Sequence, residues 1–265
     1  MNKKIFFAEA FIIRYPLLYK CLINKLVKYN IARGILQTPK DIWIRDFMPI
    51  VLDDGRLLQY KYNPDYLREC PTYCVTITNP EEPTKELNLK TEKIDIVIDG
   101  GNIVKHKDTI IMTDKVFSEN PHLTYDEIKE KLSAYFSNIV FIPRDPDPEE
   151  FYGHADGMVR FISHNHLLVN SQYTNNFKKK LHKSLSDNGY KITELKVKKD
   201  TEYAWGYINF LQLDNLIIQP SIDEENDEYV KDQLKELYPN TMIELCNAKD
   251  LINEGGVFNC VSWEI

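Results

Sequence analysis

The chain is short of cysteine and of uninterrupted apolar runs, and it carries no surplus of positive charge. Five cysteines stand among 265 residues, an odd number at irregular spacing, in a chain large enough to need no covalent staples. That excludes a disulfide framework as the organising device and points to free thiols in a reducing, cytoplasmic setting. The one close pair, Cys70 and Cys74 in "CPTYC", has neither a second pair nor a neighbouring histidine, so it does not read as a zinc site. A net charge of -7, from 33 Lys and Arg against 40 Asp and Glu, leaves no basic stripe for nucleic acid and suits a cationic small molecule. No stretch reaches the length of a membrane-spanning helix. The N-terminal "MNKKIFFAEAFIIRYPLLYK" imitates a signal peptide, but Glu9 and Arg14 break its apolar run and no small-residue cleavage site follows. A strand running into a helix is expected there. The remaining composition is that of a globular protein, and a chain of this length buries about three quarters of its extended surface.

What the sequence does hold is a repeat. Five segments share one plan, a polar or glycine-containing turn, an apolar strand, a short polar turn and a second apolar strand. They are "WIRDFMPIVLDDGRLLQYKY", "DGGNIVKHKDTIIMTDKVF", "GHADGMVRFISHNHLLVNSQY", "WGYINFLQLDNLIIQPSI" and "GGVFNCVSWEI". Aligned, they put Asp46, Asn102, Asp156, Asn209 and Asn259 at equivalent points, 56, 54, 53 and 50 positions apart. The middle turns carry the Asn, Asp and Gly of hairpin loops. Helices are expected between hairpins, in "LTYDEIKEKLSAYFSN", where Thr124 and Glu127 form a capping-box pattern, and in "NNFKKKLHKSLSDNG" and "NDEYVKDQLKELYPN". Each is followed by an apolar strand, giving a β-β-α-β unit.

The fifth segment stops after its hairpin. The chain start offers the missing helix, "PLLYKCLINKLVKYN", and strand, "ARGILQ", so the termini are expected to pair and close a ring of five units, a single domain over residues 1–265 with no open sheet edge. Residues 63–93 break the pattern with four prolines and no convincing helical face. They read either as a long irregular connection or as a lid.

In such a ring the opening turns converge on the axis and bring together Asp46, Asp99, His154, Asp156 and Cys260. Taken singly, each has an ordinary structural explanation; their common phase is what argues for a site. Carboxylates facing one pocket repel unless a cation lies between them, and a planar guanidinium meets two carboxylates with paired hydrogen bonds. A thiolate is the nucleophile at sulfur and needs a positive neighbour to ionise near neutral pH. With His154 as general acid and then general base, thiolate attack on the guanidinium carbon releases ammonia and leaves a ureido product, without metal or organic cofactor.

"WIRD" followed by proline, "DGGN", "GHADGMVRF" and "GGVFNC" before "VS" resemble, in that order, the signature segments of agmatine deiminases and microbial peptidylarginine deiminases of the guanidino-modifying superfamily, and "YINF" at 207–210 resembles a further one. The resemblance covers essentially the whole chain and implies a five-bladed α/β propeller. It implies Cys260 as nucleophile, His154 as acid/base, and Asp46 and Asp156 as the carboxylates that grip the guanidinium. Trp43, Asp99, Asn102 and Asn259 fall in matching segments as pocket residues, with Gly100 and Gly101 beside them. Two positions depart from the pattern: Asn259 stands where the family commonly has His, and Asp99 where agmatine deiminases usually carry Glu, one methylene longer. The expected partner is a small cationic guanidino compound, with peptidyl arginine, free arginine and an amidinotransferase reaction as alternatives, and a guanidino-binding propeller without turnover as the reading from another class.

Overall fold

The structure, a computed structural model, describes residues 3–145 and 152–265, so that Met1 and Asn2 of the expected N-terminal strand lie outside it. The described residues form five three-stranded sheets with one plan: the first two strands are antiparallel, and the second and third run parallel across a connection. The first blade is Ile50–Val51, Leu57–Lys61 and Glu92–Val97. The second is Val104–His106, Thr109–Thr113 and Asn138–Ile142. The third is Val159–Ser163, His166–Asn170 and Lys191–Leu195, and the fourth Leu211–Leu213, Leu216–Ser221 and Met242–Asn247. This is the five-bladed α/β propeller expected from the repeat.

The parallel crossovers of blades two to four are helices, as their periodicity requires. Tyr125–Ser133 begins on a complete capping box, Thr124 accepting from the Glu127 backbone N–H and the Glu127 carboxylate accepting from the Thr124 N–H. It buries Ile128 and Leu132. Asn175–Asp187 buries Phe177, Leu181 and Leu185, spaced by four, and ends before Gly189 in the left-handed region at φ +82°. Glu224–Leu237 starts on Asp223, whose side chain accepts from the N–H groups of Glu225 and Asn226.

The fifth blade is assembled from both ends of the chain. Strand Lys4–Ala8 pairs antiparallel with Trp263–Glu264, Phe6 opposite Trp263, and parallel with Ala32–Leu36. The helix Pro16–Lys28 crosses between the two N-terminal strands and buries Leu22 and Leu26. The terminal segment therefore supplies one strand rather than the expected hairpin, and the chain start supplies the other two. The reason is local: after the turn at 258–261 only two residues, Trp263 and Glu264, reach a strand. The apolar start, Ile5 to Ala8, is fully enclosed between its two partners.

Two further expectations are corrected. Cys21 of the helix Pro16–Lys28 and Cys246 of the strand Met242–Asn247 form a close pair, with Cα atoms 6.4 Å apart and a sequence separation of 225, while Cys70, Cys74 and Cys260 are free. The pairing arises because ring closure lays the N-terminal helix on the fourth blade, where Lys25, Lys28 and Tyr29 also bond Glu244. Cysteine spacing along the chain carries no trace of that juxtaposition. Residues 63–93 are not without helix: Asp65–Arg68 and Glu81–Glu86 each begin behind a proline, Pro64 and Pro80, too short to show a periodic face. Among the described residues no helix is long and apolar enough to cross a membrane.

Trp263 is 2% exposed, packs on Phe6 with ring centroids 5.7 Å apart, and donates its indole N–H to the Pro49 carbonyl at 2.8 Å. It joins the C-terminus to both the N-terminal strand and the first blade. Trp263→Ala is expected to cost about 3–5 kcal/mol, measured as a lowered denaturant midpoint. A loss below about 1 kcal/mol would show that the closing strand does not hold the ring.

Candidate functional site

Each blade opens with a tight turn at the propeller axis. These are Ile44–Phe47, Gly100–Asn102, Ala155–Gly157, Ala204–Ile208 and the hydrogen-bonded turn at 258–261. Bonds run from each turn to the next and close a circuit. The Gly101 N–H donates to Asp46 Oδ1 at 2.8 Å; His154 Nε2 meets Asp99 Oδ2 at 3.0 Å; Arg160 donates to the carbonyls of Ile208 and Phe210 at 3.1 and 2.7 Å. The Asn259 N–H donates to the Asn209 carbonyl at 3.2 Å, and the Arg45 N–H to the Cys260 carbonyl at 3.1 Å. Arg45 also donates through Nε to the Asn259 carbonyl and through Nη2 to Glu264.

Two glycines permit this approach. A Cβ on Gly101 would lie 2.6 Å from His154 Nδ1 and 2.8 Å from Asp46 Oδ1, and one on Gly256 would lie 2.4 Å from the Trp43 ring. Neither position admits a larger residue without displacing a site residue. Half-buried Trp43 thus rests against the backbone four residues before Cys260.

The circuit gathers the residues named from the sequence into two groups. Cys260, 7% exposed, donates its S–H to Asn209 Oδ1 at 3.3 Å and lies 3.6 Å from Asp156 Oδ2. Asn259 donates Nδ2 to that same Asp156 oxygen at 2.6 Å. His154 stands between two carboxylates, Asp99 at 3.0 Å from Nε2 and Asp46 at 3.8 Å from Nδ1. Asn102 faces its own blade, its Oδ1 accepting from the N–H and hydroxyl of Thr113, while its Nδ2 has no hydrogen-bond partner among the described residues.

Four further residues belong to the cluster and were not singled out as site residues. Asn209 was visible as one of the five phased positions and within "YINF", without a role of its own. Lys115, 1% exposed, bonds Asp99 Oδ2 and lies 3.0 Å from Glu119 Oε1 and 3.3 Å from Asp65 Oδ1. In the sequence Lys115 and Glu119 look like a solvated i,i+4 pair. Tyr66, from the 63–93 segment, lies edge-on to His154 at 6.1 Å, with the Lys115 ammonium 4.8 Å from its ring. A cavity of about 410 Å³ lies behind Arg45, bordered by Ile103, Lys105, Glu264 and Ile265. It does not include Cys260 or His154, which sit in the enclosed cluster.

The electrostatics follow from burial. Asp46 is pushed up to about 7, by desolvation first, opposed by His154 and reinforced by Asp99 and Asp156. Burial pulls His154 down, but Asp46 and Asp99 more than offset it and hold the imidazolium up to about 9. Asp99 stays below its ordinary value because Lys115 and His154 outweigh its burial. Burial, Asp156 and Asp46 together raise the Cys260 thiol well above its ordinary value. An empty site thus keeps its thiol protonated, and a cation placed against Asp46 and Asp156 relieves both effects at once.

The family model for Porphyromonas-type peptidyl-arginine deiminase matches residues 19–265. Among curated relatives, a Streptococcus mutans protein bearing an agmatine deiminase name is 25% identical over 297 residues, covering 91% of this chain and 78% of that one. The agmatine deiminase of Pseudomonas syringae pv. tomato is 23% identical over 292 residues, covering 89% and 79%. Among solved structures, a C. jejuni agmatine deiminase with substrate bound superposes with a TM-score of 0.77 at 18% identity, covering 100% of this chain and 93% of that one; at that identity the likeness speaks for the fold.

Asp46 and His154 hold protons to about 7 and about 9, against ordinary values of 3.8 and 6.5. The folded chain binds these protons more tightly than the unfolded chain does, so this stabilisation is full below the ordinary values and is lost as pH rises through the folded ones. The ligand-free protein is expected to melt at steadily lower temperature from pH 5 to 9, and Asp46→Asn to flatten the slope between pH 5 and 7. A Tm that rises across this interval would contradict the assignment.

Proposed function

The chain belongs to the Porphyromonas-type peptidyl-arginine deiminase family, and from that premise we propose that it hydrolyses a small cationic guanidino compound, agmatine or an arginine-like molecule, to the ureido compound and ammonia. The observation that carries this reading is a buried thiol, Cys260, beside Asp156 and an imidazole, His154, beside Asp46, brought into one cluster by the axial turns. The carboxylates of that cluster are buried and call for a cation.

The guanidinium lies between Asp46 and Asp156, each accepting its N–H groups. Its charge lowers the proton affinity of the Cys260 thiol, which gives up its proton to water, and the thiolate attacks the guanidinium carbon. The resulting tetrahedral adduct is neutral at carbon. His154, charged at neutral pH, donates its proton to an amino nitrogen; the C–N bond breaks with its electron pair on nitrogen and ammonia leaves. The covalent thiouronium carries the positive charge and stays paired with the two aspartates. Water adds to the same carbon, giving a proton to the now neutral His154. The C–S bond then breaks with its electron pair on sulfur, the hydroxyl proton of the adduct passes to the departing thiolate, and the Cys260 thiol is restored beside the ureido product. No metal or organic cofactor enters these steps.

Asn259 orients Asp156 and occupies one of its acceptor directions, leaving the other oxygen for substrate. Asn209 accepts a hydrogen bond from the thiol before attack. Residues 63–93 serve as a lid, since Tyr66 covers His154 and Asp65 pairs with Lys115. A nucleophile only 7% exposed favours a free guanidine over an arginine held within a folded protein. We place the activity in the cytoplasm, acting in a single domain over residues 1–265.

Cys260→Ala is expected to abolish ammonia release while the guanidino ligand still raises Tm. Ammonia at the wild-type rate from that variant would refute the mechanism. Assaying agmatine, arginine, small guanidines and an arginyl peptide side by side identifies the substrate; release from the peptide alone would move the assignment to peptidyl arginine.

A further inference from the structure

We propose that Lys115 is a positioning residue for the acid/base: by holding one oxygen of Asp99 in common with His154, it keeps that carboxylate from binding the imidazolium so tightly that the proton cannot be transferred. The proposal deepens the reading above, since it rests on His154 as the proton donor.

The geometry centres on a single atom. Asp99 Oδ2 accepts from Lys115 Nζ and faces His154 Nε2 at 3.0 Å, while Asp99 Oδ1 has no hydrogen-bond partner among the described residues. Two cationic groups thus compete for one oxygen although a second is vacant. A lysine present only to neutralise buried acid would have no need of the oxygen that faces the imidazole. Competition weakens both bonds, and the ammonium repels the imidazolium across the shared acceptor.

The depth of Lys115 gives the arrangement its weight. It is 1% exposed at the head of the short helix Lys115–Glu119, and Asp99 is 0% exposed. An ammonium moved there from water carries a large desolvation penalty unless it is well paired. Its other partners are Glu119 Oε1 at 3.0 Å, Asp65 Oδ1 at 3.3 Å and the Tyr66 ring. His154 in turn faces Asp46 at 3.8 Å and the rings of Tyr66 and Tyr152 at 6.1 and 6.0 Å. At the rim Arg144 and Asp114 lie 4.0 Å apart, half exposed, and Asp156 and Cys260 complete the charges around the axis. Of all these groups only Lys115 shares an acceptor with His154, and Glu119 governs how fully Lys115 turns to Asp99.

Removing either member therefore moves the imidazole in opposite directions. In Lys115→Met, Asp99 is left to His154 alone, and the proton is held more tightly. In Glu119→Gln, the ammonium loses a competing carboxylate, binds Asp99 more closely, and the proton is held less tightly. Glu119 is itself raised to about 7 by burial and by Asp99, so it is ionised over the range in which His154 titrates and the substitution acts there.

The test is an NMR titration of the His154 imidazole in the ligand-free, folded protein, its signal assigned by its loss in His154→Gln. The midpoint is expected to rise by a unit or more, tenfold or more in proton affinity, in Lys115→Met, to fall in Glu119→Gln, and to stay near wild type in Lys115→Arg. A purely structural role would loosen the site in both neutralised variants and send both midpoints down toward the free value of about 6.5. An unmoved or lowered midpoint in Lys115→Met overturns the proposal. Where that variant does not fold, Lys115→Gln takes its place, and an unmoved or lowered midpoint there overturns the proposal. Parallel ammonia assays are expected to show kcat reduced at least tenfold in Lys115→Met with little change in KM. Because the titration needs no turnover, opposite midpoint shifts in a wild-type protein that releases no ammonia would refute the assigned reaction and leave the electrostatic coupling standing. Unmoved midpoints with ammonia release intact would do the reverse.

Discussion

Buried negative charge without enough resident positive charge is the constraint around which the molecule is arranged. Asp46, Asp99 and Asp156 are each no more than 5% exposed, and carboxylates so placed must be matched by cations, protonated or supplied with hydrogen bonds. The structure uses all three devices. Asp99 receives Lys115 and His154; Asp46 keeps its proton up to about 7; Asp156 takes the Asn259 amide. The deficit that remains lies beside the one buried free thiol among the described residues, where, in the proposed reaction, an incoming guanidinium corrects the electrostatics and ionises Cys260 in the same event.

The propeller is what makes such a concentration of like charge tolerable. Five turns, one from each blade, hold one another through backbone and arginine hydrogen bonds, so the carboxylates cannot relax apart. Arg45 and Arg160 reach carbonyls on the turns that carry Cys260 and Asn209, and set those turns from behind with fixed positive charge. The cost of crowding the acids is met by the closed ring, whose last joint is the pairing of Trp263–Glu264 with Lys4–Ala8. The turn that carries Cys260, five positions before residue 265, is held because the residues after it are locked into a blade begun by the N-terminal strand. Exposed, unpaired chain ends fray; this one is paired with Lys4–Ala8 and pinned by the Trp263 indole on the Pro49 carbonyl.

Much of the architecture could be read along the chain. The phased positions Asp46, Asn102, Asp156, Asn209 and Asn259 all lie in or beside the axial turns, because a hairpin repeat advances the chain by one blade per period. The helices with strong periodicity or a capping box were equally visible, as at Thr124 and Glu127, since those signals are local. What escaped was whatever depended on closure in space. Lys115 and Glu119 have the spacing of a surface ion pair and only in the folded ring lie beneath Asp99; Tyr66 belongs to a proline-broken segment whose helices are too short to carry a period. Cys21 and Cys246 looked unrelated because the contact between their elements exists only once the termini have met.

The sequence by itself determined the number of blades, the order of the strands in four of them, and which turns would carry carboxylates, imidazole and thiol, since turn chemistry and apolar alternation act over a few residues and survive without context. The tertiary structure alone decided which of those groups share a proton or a partner. Asp99 divides one oxygen between His154 and Lys115, and Asp156 receives Asn259 beside Cys260, through distances near 3 Å between positions from 16 to 104 residues apart in the chain. Electrostatic coupling falls off over a few ångströms of space and is blind to separation in sequence, so proton affinities, and with them the poise of the site, are fixed only when the ring closes.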